Sequence, residues 1–208
     1  MDEKLKVYYD AEFTGLNRNT DLISIGLVSE YGNYFYAEFI DYDKTKITPW
    51  IRDNVIRNLE YNNLNNNGFT IVYPSIDNIT NIEMKGDKEY IRKSLLDWIH
   101  VNFKDRKLQI YSDCYAYDWV LFNDLLADNG DALKLDESIY YIPMDLSTAL
   151  QLYDIDPDIN REEFIGENEV NKILLLDPFT KWGSNKHNSL WDAFVCKSCF
   201  NTLKSYKL

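Results

Sequence analysis

Three extended segments in the first 40 residues constrain the fold more than any other feature of the chain. Tyr, Phe, Val and Ile are enriched in them, and we predict strands over 6–12, 22–29 and 33–40. The tight connection Tyr31-Gly32-Asn33 joins the second strand to the third, as in a hairpin. The chain therefore begins with an antiparallel meander of three strands.

Helical and extended patterns alternate in the rest of the chain. Apolar residues recur at helical spacing from 88 to 103, and Asn129-Gly130 is typical of a helix end. The predicted elements are helix 49–59, an asparagine-rich loop, helix 88–103, strand 108–112, helix 118–128, strand 140–146, helix 147–153 and a closing helix from Asn188. Residues 41–87 give no clear register, and 154–182 predict an irregular insertion within one domain over 1–208. A meander of strands followed by alternating helices and strands indicates an α/β protein whose mixed central sheet is flanked by helices.

The charge balance excludes whole classes of protein. The 34 acidic and 22 basic residues give a net charge of −12, which argues against a general electrostatic grip on nucleic acid. An apolar content of 45% argues against a disordered acidic chain. The odd number of cysteines, three, favours a reducing compartment, and no apolar run approaches the roughly 20 residues that span a bilayer. We expect a cytoplasmic protein without a membrane partner.

Two carboxylates at the end of the first predicted strand point to a metal site. Asp10 and Glu12 are two residues apart, so a strand places both on one face. Neighbouring carboxylates oppose each other's ionisation unless a divalent cation neutralises them, and hard cations such as Mg²⁺ or Mn²⁺ take oxygen ligands. The same spacing recurs at Asp87 and Glu89, where it opens a polar helix and is best explained by the helix dipole.

The two histidines differ in their surroundings. His100 is followed by Asp105 across a turn rich in Lys and Arg, which predicts a solvated surface. His187 precedes the Asn188-Ser189 helix start, and Asp192 lies on the closing helix. We therefore single out His187 and Asp192 as site candidates.

Three short motifs follow one another along the chain: Asp-Ala-Glu-Phe-Thr-Gly-Leu (10–16), Ser-Asp-Cys-Tyr-Ala-Tyr-Asp-Trp (112–119) and His-Asn-Ser-Leu-Trp-Asp-Ala (187–193). Together they resemble the exonuclease motifs of the DEDDh 3′–5′ exonucleases, which include ribonuclease T, oligoribonuclease and proofreading subunits. The resemblance implies a ribonuclease-H-like fold and two divalent ions, Mg²⁺ or Mn²⁺. It implies that Asp10, Glu12, Asp118 and Asp192 hold these ions and that His187 is the general base.

The resemblance also implies the substrate contacts and the partner. Phe13 and Leu16 resemble positions that pack on the terminal base, and the full set of expected contacts is Phe13, Thr14, Leu16 and Tyr117. The expected partner is single-stranded or 3′-overhanging RNA or DNA, with RNA slightly favoured, and relatives that pair suggest a homodimer. Asp113-Cys114 replaces the His-Asn found in many members. This departure supports the alternative of a catalytically inactive binding module.

Several further residues allow two interpretations. Arg18, Lys181 and Lys186 could contact phosphates, although a solvated surface is the simpler explanation. Tyr115 and Trp119 could stack on bases or belong to the core. Asp145 could lie near the site or cap the next helix. Cys196 and Cys199 have zinc-like spacing, but the absence of a second ligand pair in the sequence favours packing.

Overall fold

A sheet of seven strands forms the centre of the computed structural model, which describes residues 4–64, 68–74, 80–104, 106–183 and 186–206. The strands are β1 (Leu5–Phe13), β2 (Leu22–Ser29), β3 (Tyr34–Phe39), β4 (Phe69–Pro74), β5 (Thr80–Gly86), β6 (Leu108–Ser112) and β7 (Ile139–Asp145). The helices are α1 (Pro49–Asn54), α2 (Lys88–Asn102), α3 (Tyr115–Leu126), α4 (Leu146–Leu152), α5 (Arg161–Ile165), α6 (Glu167–Leu174), α7 (Phe179–Trp182) and α8 (Ser189–Leu203). Short 3₁₀ turns are formed by Lys44–Lys46, Ile56–Asn58, Asp128–Gly130 and Ala132–Lys134.

The sheet is mixed, with the strand order β4-β5-β3-β2-β1-β6-β7. β1, β2 and β3 pair antiparallel, which confirms the predicted meander. β6 runs parallel to β1, β7 runs parallel to β6, and β5 runs parallel to β3. Helices cover both faces, so the expectation of an α/β protein with a mixed, helix-flanked sheet is confirmed. The architecture is compatible with a ribonuclease-H-like fold.

Each face of the sheet has its own apolar core. α2 and α3 pack on one face, and α8 packs on the other together with α4–α7. Along β1, Val7, Tyr9 and Ala11 belong to the first core and Tyr8 to the second. Because side chains alternate along a strand, Asp10 and Glu12 lie on the face that α8 covers.

The first turn of α8 lies directly on the backbone of β2. Gly26 is paired with Asp10 across the β1–β2 ladder, and a Cβ atom at Gly26 would overlap the Ser189 carbonyl and the Leu190 amide. The hydroxyl of Ser189 lies 3.0 Å from that of Ser24, the partner of Glu12. A glycine at position 26 thus brings the start of α8 beside the two carboxylates of β1.

The structure corrects several predicted boundaries. α3 begins at Tyr115, three residues before the predicted start at Asp118, and its last turn ends at Leu126. The helix predicted over 49–59 is α1 followed by a 3₁₀ turn. The segment 154–182 is not irregular, because it contains α5, α6 and α7, of which α5 is capped by the side chain of Asn160.

The hairpin of β4 and β5 was not predicted. These strands pair antiparallel, and β5 extends the sheet by pairing parallel with β3. Most side chains of β4 are exposed, so its sequence lacks the apolar alternation of a half-buried strand. The asparagine-rich loop falls partly on residues 65–67, outside the described residues. Within the part of the chain that the structure describes, no helix combines the length and apolar composition needed to cross a membrane.

Candidate active site

A cavity of about 320 Å³ opens at the carboxyl ends of the parallel strands β1 and β6. Such an edge is where open α/β sheets commonly bind ligands. All five residues predicted to be catalytic line this cavity, which we call the carboxylate cavity: Asp10, Glu12, Asp118, His187 and Asp192. The fold therefore brings together residues that lie up to 182 positions apart in the sequence, Asp10 and Asp192.

The strand ends and α3 supply three of the carboxylates. Asp10 and Glu12 project from β1 on the α8 side, and a register irregularity follows Glu12. Asp118 lies in the first turn of α3, just after β6, and its side chain is almost completely buried at 1% exposure. An acid in a first helical turn interacts favourably with the helix dipole, which offsets part of the cost of its burial.

The N-terminus of α8 supplies the remaining pair. Asn188 caps the helix by accepting hydrogen bonds from the amides of Leu190 and Trp191. The His187 amide donates a hydrogen bond of 2.8 Å to Asp192 Oδ2. His187 Nδ1 lies 3.8 Å from Glu12 Oε1. Ligand atoms of Glu12, His187 and Asp192 all lie within 4.8 Å of one another, close enough to share one ion.

The clustered carboxylates raise one another's pKa. Burial is the largest cause at Asp10, and the charges of Asp118, Asp192, Glu12 and Asp113 add to it. Burial raises the pKa of Glu12, with the charges of Asp192 and Asp118, and it raises the pKa of Asp118, with the charges of Asp113 and Asp192. Burial raises the pKa of Asp192 to about 7, although its hydrogen bond from the His187 amide opposes the shift. The positively charged groups of the protein therefore do not offset the mutual repulsion of these carboxylates.

The surroundings of His187 lower the pKa of its imidazole and so favour the neutral ring. Burial lowers its pKa, and the nearby ammonium of Lys186 lowers it further. The Trp50 ring lies edge-on to the imidazole with a centroid distance of 5.1 Å. A neutral imidazole beside a cavity can accept a proton.

The donor set fits divalent cations. Asp10 Oδ2 and Asp118 Oδ2 are buried and have no hydrogen-bond partner among the residues that the structure describes. A buried carboxylate oxygen without a partner is costly, and a bound cation offsets that cost. Carboxylate oxygens are the ligands that suit Mg²⁺ or Mn²⁺. Asp10, Glu12, Asp118 and Asp192 are therefore able to hold metal, with His187 adjacent.

Sequence reasoning missed the wall of the cavity that α5 supplies. Arg161 pairs with Asp113 through two hydrogen bonds, from Nε to Oδ2 at 2.8 Å and from an Nη atom to Oδ1 at 2.7 Å. The guanidinium also donates to the carbonyls of Pro157 and Ile159. Glu162 accepts a hydrogen bond of 2.7 Å from Trp191 Nε1 and lines the same cavity. Asp113, noted from the sequence only as a departure, is thus part of a fixed ion pair.

A second, more apolar cavity of about 630 Å³ adjoins the first and shares Glu12 and Phe13 with it. We call it the apolar cavity. Its walls include Leu16, Trp50, Ile51 and Val55. Three of the four expected substrate contacts line it: Phe13, Thr14 and Leu16. Trp50, exposed by 57%, could have been suspected only from its position beside a predicted helix start.

Tyr117, the fourth expected contact, does not line the apolar cavity, and Thr14 is also held by a hydrogen bond in the loop after β1. Tyr117 stacks on Phe13 with a ring separation of 5.8 Å, and its hydroxyl donates to the Leu16 carbonyl at 3.1 Å. It therefore supports the wall of the apolar cavity from behind. Thr14 is buried, and its hydroxyl accepts a hydrogen bond from the Asp21 amide. The structure thus gives Thr14 a place in the loop that follows β1.

The residues left open by the sequence separate clearly. Lys186 lines the carboxylate cavity, whereas Arg18 and Lys181 line neither of the two cavities just described. Asp145 caps α4 by accepting from the Thr148 amide. Four further residues have structural roles. Cys196 and Cys199 are buried, Trp119 stacks on Phe122, and His100 pairs with Asp136. Asp105, the partner expected for His100, lies outside the described residues.

Comparison with known proteins gives a partial match. Over 55 residues the chain is 34% identical to two curated proteins from two strains of Mycobacterium tuberculosis, each named a 3′–5′ exoribonuclease. The match covers 26% of this chain and 33% of each relative, so the chain spans about a third of the length of the relatives it matches. No known protein family matches the chain. The similarity supports a relationship to 3′–5′ exonucleases.

Proposed function

We propose that the protein is a metal-dependent 3′–5′ exonuclease that hydrolyses phosphodiester bonds at the 3′ end of RNA or single-stranded DNA. The observation that carries the proposal is the convergence of Asp10, Glu12, Asp118, His187 and Asp192 on one cavity. In isolation, each of these residues has an ordinary structural explanation. Together, they form a set of four acids and a neutral base that phosphodiester hydrolysis can use.

The carboxylates would bind two divalent ions. Four ionised carboxylates carry a charge of −4, which two Mg²⁺ or Mn²⁺ ions balance. When bound, these ions would activate water and stabilise the negative charge that develops on the phosphate and the leaving 3′ oxygen. Asp10 and Asp118, with their unpaired buried oxygens, and the pair Glu12 and Asp192 are the proposed ligands.

His187 is the proposed general base. Its imidazole is neutral because burial and Lys186 lower its pKa, so it can take the proton from the attacking water. Its backbone amide is held by Asp192, which places the ring at the mouth of the carboxylate cavity. Phosphodiester hydrolysis by this site would thus divide the work: the neutral imidazole accepts the proton, and the four acids hold the metal ions.

The apolar cavity is the proposed site for the terminal base. Phe13, Leu16 and Trp50 line it, and a base that stacks on such side chains gains about 1–3 kcal/mol. Lys186, at the edge of the carboxylate cavity, is available to a phosphate. The names of the two relatives favour RNA over DNA as the substrate.

The test is the shortening of 5′-labelled single-stranded RNA and DNA oligonucleotides with Mn²⁺ or Mg²⁺. We expect a ladder of products that shorten from the 3′ end, and no shortening in EDTA. Asp10→Ala and Asp118→Ala should each abolish the ladder, and Asp124→Ala, on the exposed side of α3, should leave it unchanged. Internal cleavage products, or full activity in EDTA, would overturn the proposal.

Metal binding can be measured separately from catalysis. A ligand that binds only the folded state raises the melting temperature, so Mn²⁺ should stabilise the wild-type protein. Oligonucleotide binding without shortening, in a protein that shows no stabilisation by Mn²⁺, would identify a non-catalytic binding module instead.

A further inference from the structure

Asn58, outside all three sequence motifs, brackets the proposed general base. It ends the 3₁₀ turn Ile56–Asn58 that follows α1. Its side-chain Nδ2 donates a hydrogen bond of 2.6 Å to the carbonyl of Lys186. Its own backbone carbonyl accepts a hydrogen bond of 3.0 Å from Asn188 Nδ2. One residue thus holds the chain on both sides of His187. We call these two hydrogen bonds, from Asn58 to Lys186 and from Asn188 to Asn58, the bracket.

The conformation of His187 requires such support. Its φ angle is +66°, in the left-handed region that residues other than glycine occupy at an energetic cost. Backbone in this region persists where surrounding contacts fix it. The contacts on the two flanking residues come from Asn58, and the contact on the His187 amide comes from Asp192.

The same segment also contacts the imidazole itself. Trp50, in the first turn of α1, lies edge-on to the His187 ring. Asn58 is tied to α1 by a second hydrogen bond of 2.6 Å from its Nδ2 to the Asn54 carbonyl. Asn188, the other end of the bracket, is 1% exposed and donates to the hydroxyl of Tyr36 on β3 at 3.4 Å. The bracket is therefore anchored both to α1 and to the sheet.

We propose that Asn58 is a positioning residue for His187: through hydrogen bonds to Lys186 and Asn188 it fixes the backbone that aims the imidazole at the carboxylate cavity. The inference rests on the proposed function, since it gives Asn58 a role through the general base. Asn58 itself touches neither the carboxylates nor the expected position of substrate, so it should affect the rate of the chemical step and leave substrate binding unchanged.

The kinetic test is a double-mutant cycle on nucleotide release from a labelled oligonucleotide at saturating Mn²⁺. Asn58→Ala should lower kcat by about 10-fold and change KM by less than about 2-fold, because small misplacements of a reacting group have large effects on rate. Asn58→Asp keeps the shape but has no N–H donor, so it should show the same loss. In a His187→Ala background, Asn58→Ala should cause no further loss.

Asn62→Ala is the matched control. Asn62 lies four residues along the same segment, is exposed, and donates only to the carbonyl of Ile56 among the hydrogen bonds described. It should leave kcat unchanged. An equal loss from Asn58→Ala with and without His187, or an unchanged kcat in Asn58→Ala, would overturn the inference.

A second measurement does not depend on activity. Hydrogen exchange should show the His187 amide, which is bonded to Asp192, exchanging at least about 10-fold faster in Asn58→Ala than in the wild type, since exchange follows local opening. Asn62→Ala should leave it unchanged. A wild type without nuclease activity but with this change in exchange would reject the proposed function and retain the bracket; unchanged exchange would reject the bracket.

Discussion

The backbone amide of His187 donates a hydrogen bond of 2.8 Å to the carboxylate of Asp192. The proposed general base and a proposed metal ligand are therefore linked by one contact across the first turn of α8. A change in the charge of Asp192 alters the strength of that hydrogen bond, because a hydrogen bond to an ionised acceptor is stronger. Metal binding and the placement of His187 should consequently depend on each other.

The metal-free protein should lose stability as the pH rises. Unfolded carboxyls titrate near pH 4, whereas in the folded chain the pKa of each site carboxyl is raised, that of Asp192 to about 7. The folded state binds more protons between these values, so this contribution to stability is complete below pH 4 and is lost as the pH rises to 7. In EDTA, we expect the melting temperature to fall by at least about 4 °C from pH 5 to pH 8. Equal values at both pH would contradict this.

Asp118→Asn should separate stability from metal binding. It removes one buried charge from the cluster, so in EDTA at pH 8 the variant should melt at a higher temperature than the wild type. It should also lose most of the stabilisation by Mn²⁺. Asp124→Asn, on the same helix but in an exposed pair with Lys88, should change the melting temperature by little and keep the response to Mn²⁺. A less stable Asp118→Asn protein in EDTA would argue against repulsion at the site.

Gly26→Ala should displace the start of α8. The added methyl group would overlap backbone atoms of Ser189 and Leu190, which cannot rotate away, and overpacking of this kind costs about 1–3 kcal/mol or more. The displacement would also move Asp192 away from Asp10, so affinity for Mn²⁺ should fall. Ser189→Ala, which removes only the hydroxyl contact with Ser24, should cost about 1 kcal/mol in urea unfolding. Equal stability of both variants would show that α8 adjusts without strain.

Arg161 and Asp113 should show strong energetic coupling. The pair is partly buried, with side-chain exposures of 18% and 29%, and it is bidentate. Arg161→Met leaves Asp113 without its partner beside other carboxylates, and we expect a loss of about 1–3 kcal/mol. The double variant with Asp113→Asn should recover at least about 1 kcal/mol relative to additivity in urea unfolding. Additive losses would mean that the ion pair contributes nothing of its own.

Leu16→Ala should weaken substrate binding without affecting the fold. Leu16 is 67% exposed and lines the apolar cavity, so truncation removes contact area for a base at little cost in stability. We expect KM for a short oligonucleotide to rise by about 5-fold, the equivalent of about 1 kcal/mol, with kcat nearly unchanged. Leu133→Ala is the control, because Leu133 is 81% exposed and lines neither cavity. An unchanged KM would place the terminal base elsewhere.

The sequence predicts the parts of this fold whose signals are local. The meander is marked by composition and a tight turn, and α8 by the Asn188 cap. The β4–β5 hairpin escaped prediction because β4 is largely exposed and the buried half of β5 contains Glu83 and Lys85. The helices α5–α7 escaped it because short polar helices depend on contacts distant in sequence. The positions of Asp10 and Glu12 on one face followed from strand periodicity alone.

The surroundings of the site were less predictable than its candidates. Arg161 reads as a solvated arginine until α5 places it against Asp113, 48 residues earlier in the chain. Asn58 lies in a segment without a clear pattern, and its bonds reach residues 128 and 130 positions away. Such contacts depend on the tertiary structure, and no periodicity in the sequence encodes them.

The concentration of negative charge at the carboxylate cavity sets an order of events. Without metal, the cavity concentrates four of the acids that contribute to the chain's net charge of −12, and a polyanionic substrate would meet repulsion at the point where its end must dock. Loading with two divalent ions removes that local barrier. Metal should therefore bind first and substrate second, so the rate of substrate association should depend on the free concentration of Mg²⁺ or Mn²⁺. Moderate salt, by screening the remaining negative surface, should speed that association.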